Sequence, residues 1–538
     1  MRNKLNEHRS DPLIRTRRVK CGEEKPTCLR CIKFGIPCDG YRTSSDIDFP
    51  HGIPQPKRYL LPKSQRPQLT IPSSSRFGSE QESRYFEVFC LKTAFEIFPS
   101  FEKARLRRIF LQAAESEPSI RHAVIALGAL DQTSQAAQNQ KLELLSCGSC
   151  VDDANQHYRN SVKAYTKAIK HMQAAVSLHK QDLRTTLLTC LVILSFEGWK
   201  GNHNLAVQQI RTGTGLLKEW KEGYKNPTKL AFQSPAPDVV EDVLIHVFAR
   251  LSVQLVSSAA ERSPGSYSKL DTCGWDLVDN MPRVFGTLEE AENFQNVIVR
   301  LLVQFLSKGQ PPIPRIGTSV RTYPVNVFWE IMSLDVAREQ ETLLQIMVRW
   351  LDAFAALKNH IDKKDREVKE TSITLELQMK AAYISAVTAC VKDETAFDSF
   401  NGFYNDIVSL SDALLNDLQP HTTANIPLFC IDTRVVATLW SVGHKCREKS
   451  IRQRAILLLL DFPRREGVWE SGLAGRTIEC VMNFEEEYME SGYIPGWARI
   501  RYTTFQPDLE RRTAVVECQQ RTSEWSETLV TRRKIVSW

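Results

Sequence analysis

The sequence predicts a mainly all-α protein with a small cysteine-rich module at its start, a flexible tether behind it and a large helical body. Three observations predict this. Four cysteines fall between Cys21 and Cys38. Residues 42–80 are rich in Pro and Ser and carry no helical period. From about Ser83 onward, apolar residues return every three or four positions, and strand-like alternation is nearly absent. At 538 residues the chain exceeds one ordinary core, and 42% hydrophobic with 25% charged content is that of a soluble globular protein.

The module comes first. Residues 1–41 hold ten Lys/Arg against five Asp/Glu, so +5 of the chain's net +7 sits there and the rest is close to neutral. A polyanion should therefore meet this end of the chain. Six residues separate Cys21 from Cys28, two separate Cys28 from Cys31, and six separate Cys31 from Cys38. A two-residue gap lets both thiolates turn toward one metal ion. So short a segment buries too little apolar surface to fold alone, and metal must supply the folding free energy, about 10–16 kcal/mol for a structural zinc in a small finger. The remaining cysteines of the fourteen are scattered, many in apolar stretches such as TLLTCLVILSF around Cys190, which is the habit of a reduced compartment. No secretory signal layout is present, and the longest apolar runs are too short to span a bilayer, so no membrane is expected and the cytosol or nucleus follows.

RTRRVKCGEEKPTCLRCIKFGIPCDGY (Arg15–Tyr41) resembles the fungal binuclear zinc-cluster family, Zn₂Cys₆. Cys21, Cys28, Cys31 and Cys38 match the third to sixth cysteines of that pattern. RTRRVK matches the basic run before the third cysteine, EEKPTC with Pro26 matches the loop, and DGY is a common ending. The match covers under a tenth of the chain.

The resemblance implies two zincs per chain, with the first and fourth cysteines bridging them. The first two cysteine positions hold Asp11 and Ile14 here. The first site then keeps Cys21 and Cys28. The second keeps Cys28, Cys31 and Cys38, with Asp11 in place of the bridging thiolate, so at most one zinc is well liganded by this sequence. Three explanations stand open. The stretch before Arg15, MRNKLNEHRSDPLI, has no family feature and ends abruptly where the match begins, as a misassigned exon boundary would leave it. The cluster is degraded and specific DNA reading is lost. Or one zinc survives with the Asp11 carboxylate as a ligand.

The family places the basic run on a short helix whose end enters the major groove. By resemblance, Arg17 and Arg18 take the base-reading positions, able to donate to guanine O6 and N7. Arg15, Lys20, Lys25 and Arg30 are phosphate contacts, which set register and salt dependence. The implied partner is double-stranded DNA with CGG-like sites. The same run could also serve nuclear import.

The tether, residues 42–82, contains Pro50, Pro54, Pro56, Pro62, Pro67 and Pro72, which forbid a helix. It shows no sustained heptads, so the coiled coil that many family members carry here is not supported. A homodimer through the body and a monomer are both open.

The body, residues 83–538, reads as helices in sequence. Tyr158, Val162, Tyr165, Ile169, Met172 and Val176 step four, three, four, three, four along one helix face. LRTTLLTCLVILSFEGW is apolar nearly all round and should lie centrally, ending near Gly201. HNLAVQQIRTGTGLLKEW then begins the second helix of an αα-hairpin. Asp238 is a candidate N-cap for DVVEDVLIHVFARLSVQLV. Thr287 and Glu290 have capping-box spacing before an apolar run to Leu306. ETLLQIMVRWLDAFAALKNHI, LELQMKAAYISAVTACV, IRQRAILLLLDF and TIECVMNFEEEYME add further helices. The body resembles the fungal-specific regulatory domain that follows such zinc clusters, on IRHAVIALGAL (Ile120–Leu130), YTKAIKHMQ (Tyr165–Gln173), FEGWKGN (Phe196–Asn202) and RREGVWES (Arg464–Ser471). That domain would regulate output toward the transcription machinery.

Other candidates are weaker. Cys147 and Cys150 form CGSC without a second pair nearby. His157, His171 and His179 lack single-metal spacing. Arg532, Arg533 and Lys534 form a basic tail that reads as solvated. No phosphate-cradling loop, GxSxG elbow or HExxH is present, so no enzyme is expected. The sequence therefore points to a nuclear, zinc-dependent regulator of RNA polymerase II genes that reads specific DNA. The alternative is a helical, partner-binding regulator without that reading.

Overall fold

A computed structural model of the chain describes residues 29–33, 76–98, 103–143, 151–178, 181–224, 234–257, 274–308, 322–323, 334–361, 365–389, 391, 393–418, 428–500, 502–508, 511–526 and 528–538. The chain divides into two units, Met1–Ser74 and Ser75–Trp538. In the first, the described element is the short helix α1 (Leu29–Lys33).

The second unit begins with α2 (Glu80–Val88), capped by Ser79, whose hydroxyl accepts the Glu82 N–H at 3.2 Å. A π-helical turn, Phe89–Thr93, carries it into α3 (Ala94–Ile97). Next come α4 (Lys103–Ser116), α5 (Pro118–Glu143), with proline at its first position, and α6 (Val151–Ser177). At Gly128, α5 passes so close to α2 that a Cβ would strike the Tyr85 carbonyl, and only glycine permits this approach.

Helix α6 stands where the four-three rhythm predicts, but its buried face lies to one side of that stripe. Ser161, Ala164, Ala168 and Met172 are buried, while Tyr158, Val162 and Val176 are 40%, 37% and 59% exposed. Small side chains let α5 and α6 approach closely, so the alanine side of the helix faces inward and much of the bulkier stripe is left at the rim.

The central hairpin follows. Asp182 caps α7 (Leu183–Lys200), accepting the Thr185 N–H at 2.6 Å, and the helix is buried all round. It ends at Gly201, whose φ of 85° is the left-handed stop that glycine adopts at no cost. Helix α8 (His203–Glu222) returns along it. Helix α9 (Asp242–Ser257) begins later than the expected cap at Asp238. Residues 237–239 form a turn, and Asp242 itself accepts the Ser234 N–H at 2.5 Å.

A second core packs beside the first. It comprises α10 (Trp275–Asp279), α11 (Leu288–Lys308), α12 (Leu334–Lys358) and α13 (Arg366–Thr388), centred on fully buried Trp350. The Thr287 cap forms as read, with the Glu290 N–H donating to the Thr287 hydroxyl at 3.1 Å, while the Glu290 carboxylate accepts the N–H of Gly286, one residue before the cap, at 2.7 Å. Helix α13 is the shared wall, giving Leu377 and Ile384 to the first core and Leu375, Met379 and Ala386 to the second.

The last part mixes helix with strand. After the short strand β1 (Thr322–Tyr323), between α11 and α12 in the chain, it runs 3₁₀ Glu394–Phe400, α14 (Asn401–Leu418), β2 (Leu428–Cys430), α15 (Val436–Lys445), α16 (Lys449–Asp461), β3 (Arg464–Glu466), β4 (Trp469–Glu470) and α17 (Ser471–Glu486). Three strands close the chain: β5 (Tyr502–Asp508), β6 (Thr513–Arg521) and β7 (Leu529–Ser537). They form an antiparallel sheet of order β1-β5-β6-β7, while β2 pairs parallel with β3, and β3 antiparallel with β4. The chain is mainly helical, as its sequence predicts, with the addition of this closing sheet. No helix among the described residues is long and apolar enough to cross a membrane.

Candidate nucleic-acid interface and regulatory core

In the cysteine-rich module, Cys31 is the third residue of α1 and Cys28 immediately precedes it in the chain. A helix here suits a two-residue gap, because positions three apart share one helical side. Leu29, Ile32 and Lys33 are exposed. Asp11, Arg15, Arg17, Arg18, Lys20, Cys21, Lys25, Cys28 and Cys38 lie outside the described residues, as do the side chains of Arg30 and Cys31. The donor chemistry fits zinc, for which thiolates are preferred soft ligands, and Cys28, Cys31 and Cys38 supply three of the four donors one tetrahedral ion needs at the second family site. Two separate ions would need donors beyond these four.

In the body, the four segments singled out in the sequence meet one another. His122 of IRHAVIALGAL stacks on His171 of YTKAIKHMQ at 5.4 Å. Tyr165 of the latter stacks on Phe196 of FEGWKGN at 3.9 Å. The Arg465 guanidinium of RREGVWES donates to the Trp199 carbonyl at the C-terminal end of α7, where a cation also complements the helix dipole. Arg465 is held in turn by Glu470 at 3.3 Å. Glu466 of the same segment accepts the N–H groups of Arg434, Val435 and Val436 at 2.7, 2.9 and 2.9 Å, capping α15. These motifs thus tie α5, α6 and α7 to the small β2-β3-β4 sheet.

Behind that sheet lies a buried ionic cluster. The Glu485 carboxylate accepts from Arg447 at 2.8 Å, Arg452 at 2.7 Å and the Ile500 N–H at 2.7 Å. Glu394 accepts from Lys445 at 2.8 and 2.9 Å, with Arg447 at 3.2 Å. Burial alone would raise the Glu485 pKa, but Arg447 and Arg452 overrule it and hold it at about 2. Lys445 moves the other way, its pKa depressed by burial to about 8 despite Glu394. His444 bonds Thr503 at 2.8 Å and is kept neutral by burial and by the neighbouring Lys445, Arg447 and Arg452. Gln520 of β6 donates to the Ala498 carbonyl at 2.5 Å. This polar network fastens the closing sheet to α15, α16 and α17. Sequence reasoning missed it, because Arg447 and Arg452 lie far from Glu485 in the chain and nothing in their spacing joins them.

The remaining candidates resolve as packing where they are described. His157 bonds the Tyr85 hydroxyl at 2.7 Å. Arg532 is not simply solvated: on β7 it meets Glu487 at 2.8 Å. Cys147, Cys150 and His179 lie outside the described residues, among which no His/Cys/Asp/Glu group could hold a metal.

Two family models match parts of the chain. The family described as "Fungal Zn(2)-Cys(6) binuclear cluster domain" matches residues 15–47, beginning at the first residue of the basic run. "Fungal specific transcription factor domain" matches residues 84–276. The chain is 27% identical over 213 residues to "Transcription regulator lscL" of Purpureocillium lilacinum, a match covering 38% of this chain and about half (48%) of that protein. It is 22% identical over 566 aligned positions to the "Aspercryptin biosynthesis cluster-specific transcription regulator atnN" of Emericella nidulans, covering 88% of this chain and 86% of that protein. No solved structure matches.

Proposed function

We propose that this chain is a DNA-binding transcription regulator of the fungal Zn(2)-Cys(6) class rather than an enzyme, with a division of labour along its length. Residues 1–41 read DNA, residues 42–82 tether, and residues 83–538 control the output. Cys21, Cys28, Cys31 and Cys38 hold zinc, with at most one ion well liganded by this sequence. Arg17 and Arg18 meet base edges of CGG-like sites, while Arg15, Lys20, Lys25 and Arg30 meet phosphates. The protein works in the nucleus, on genes transcribed by RNA polymerase II. Its Emericella nidulans relative is named for one biosynthesis cluster, and we propose that this chain likewise serves a dedicated metabolic pathway.

The observation that carries this reading is the unbroken run from Arg15 to Tyr41, in which basic residues, four cysteines and Pro26 keep family spacing. Asp11 and Ile14, standing at the first two cysteine positions, favour the alternative: a helical partner-binding regulator without sequence-specific DNA reading. Arg18→Ala separates the two. Titrated against a CGG-containing duplex and a scrambled one, the substitution should cost about 1–3 kcal/mol on the first and little on the second. Equal loss on both would reduce Arg18 to a phosphate contact.

A further inference from the structure

Strand β7 is the outer strand of the closing sheet. It pairs with β6 along its whole length, from Leu529 opposite Arg521 to Ser537 opposite Thr513. Among the described residues, no strand pairs with its other side. Such an edge presents a row of main-chain N–H and C=O groups ready to pair with another chain.

The side chains along it are mixed in a particular way. Leu529, Val530 and Ile535 are 48%, 43% and 71% exposed, and Trp525, in the turn leading to the strand, is 90% exposed. Between them lie Arg532, Arg533 and Lys534. Register assigns the faces. Buried Val516 and Cys518 of β6 stand opposite Lys534 and Arg532, so these two cations share the side that packs on α17. There Arg532 lies over the Phe484 ring at 4.4 Å. Leu529, Arg533 and Ile535 share the other side, where Arg533 meets Glu517 at 2.6 Å. Cations occupy the middle of both faces, and apolar residues occupy the ends.

We propose that β7 takes up an acidic, extended segment of a partner protein as an added strand. Carboxylates of that segment would lie beside Lys534 and the exposed guanidinium of Arg533, and apolar side chains beside Leu529 and Ile535. The open edge selects an extended polypeptide, because main-chain pairing has no counterpart in DNA. Glu487 and Glu517 offset two of the three cations, and the positive charge left at Lys534 selects an acidic one. A second copy pairing antiparallel about the strand centre would set Arg533 opposite Arg533, and like charges directly opposite destabilise a strand pair. Cations can also serve to repel stray strands. An edge with that role alone would bind no peptide.

The test is a fluorescence-anisotropy titration of the full chain with a labelled ten-residue peptide of alternating valine and glutamate. Saturable binding is expected, weakened at least about tenfold by the double substitution Arg533→Glu/Lys534→Glu. Two further acidic peptides carry N-methyl groups on every second residue, one version for each edge of the strand. One version should lose binding and the other keep it, a result obtained on the unaltered protein and independent of how the double variant folds. No binding would overturn the proposal. So would indifference to both methylation patterns, equal binding of a valine–lysine peptide, or displacement by a short DNA duplex. Self-association in sedimentation that the double substitution abolishes would instead make β7 a homodimer edge and overturn it too.

Discussion

Glu485 is fully buried, yet it is ionised because two guanidinium groups and a main-chain N–H surround it. Replacing it by glutamine keeps its size and removes the charge that balances Arg447 and Arg452. An uncompensated buried cation is costly, so Glu485→Gln should destabilise the body by about 3–5 kcal/mol, read from the urea midpoint. His444 supplies a pH dependence. Its folded pKa lies well below 6.5, because burial and the cations Lys445, Arg447 and Arg452 disfavour a further charge. As pH falls below about 6.5, the unfolded chain binds a proton that the folded chain does not, and stability drops by up to about 1.4 kcal/mol per pH unit from this group. Glu96 opposes this. Burial raises its pKa to about 7, so the folded chain holds that proton first and gains stability over the same range as pH falls. The check is therefore a comparison: urea unfolding between pH 7 and pH 5 should show His444→Gln losing stability less steeply than the parent protein.

At the scale of elements, legibility followed periodicity. Helices α7 and α8, their stop at Gly201 and the cap at Thr287 were readable because caps and apolar rhythm act within one turn. The inward side of α6 was not readable, because it depends on how closely α5 approaches, which no local pattern records. Strands β5, β6 and β7 were hidden for a related reason. Their inward residues include Thr503, Cys518 and Gln520, and β7 is largely exposed, so a two-residue alternation of apolar and polar never emerges. The meeting of FEGWKGN with RREGVWES was legible as two motifs but not as a contact. Its test is Arg465→Ala, which removes the donor to the Trp199 carbonyl and the partner of Glu470 and should cost about 1–3 kcal/mol in the same urea assay. A loss within about 0.5 kcal/mol, the range of an unremarkable surface change, would mean the contact does not hold α7 to the sheet.

At the scale of the whole molecule, the two units draw their stability from different sources. The body, Ser75–Trp538, rests on two clusters of buried apolar side chains among its described residues. The module before it carries four cysteines in a short segment, and on the proposed reading zinc supplies its folding free energy. The family match over residues 15–47 was legible from spacing and residue type alone, since metal chemistry imposes both. The buried ionic cluster around Glu485 was not, since it arises from tertiary placement.

The central claim is that zinc organises the N-terminal arginines for reading a specific sequence. It is tested most directly by measuring the affinity of the full chain for a CGG-containing duplex and for a scrambled one, before zinc removal, after it and after zinc is restored. The account predicts a preference that disappears with the metal and returns with it, while the helical circular-dichroism signal of the body stays unchanged. Equal affinity for both duplexes with zinc bound, or a preference that survives its removal, would contradict it.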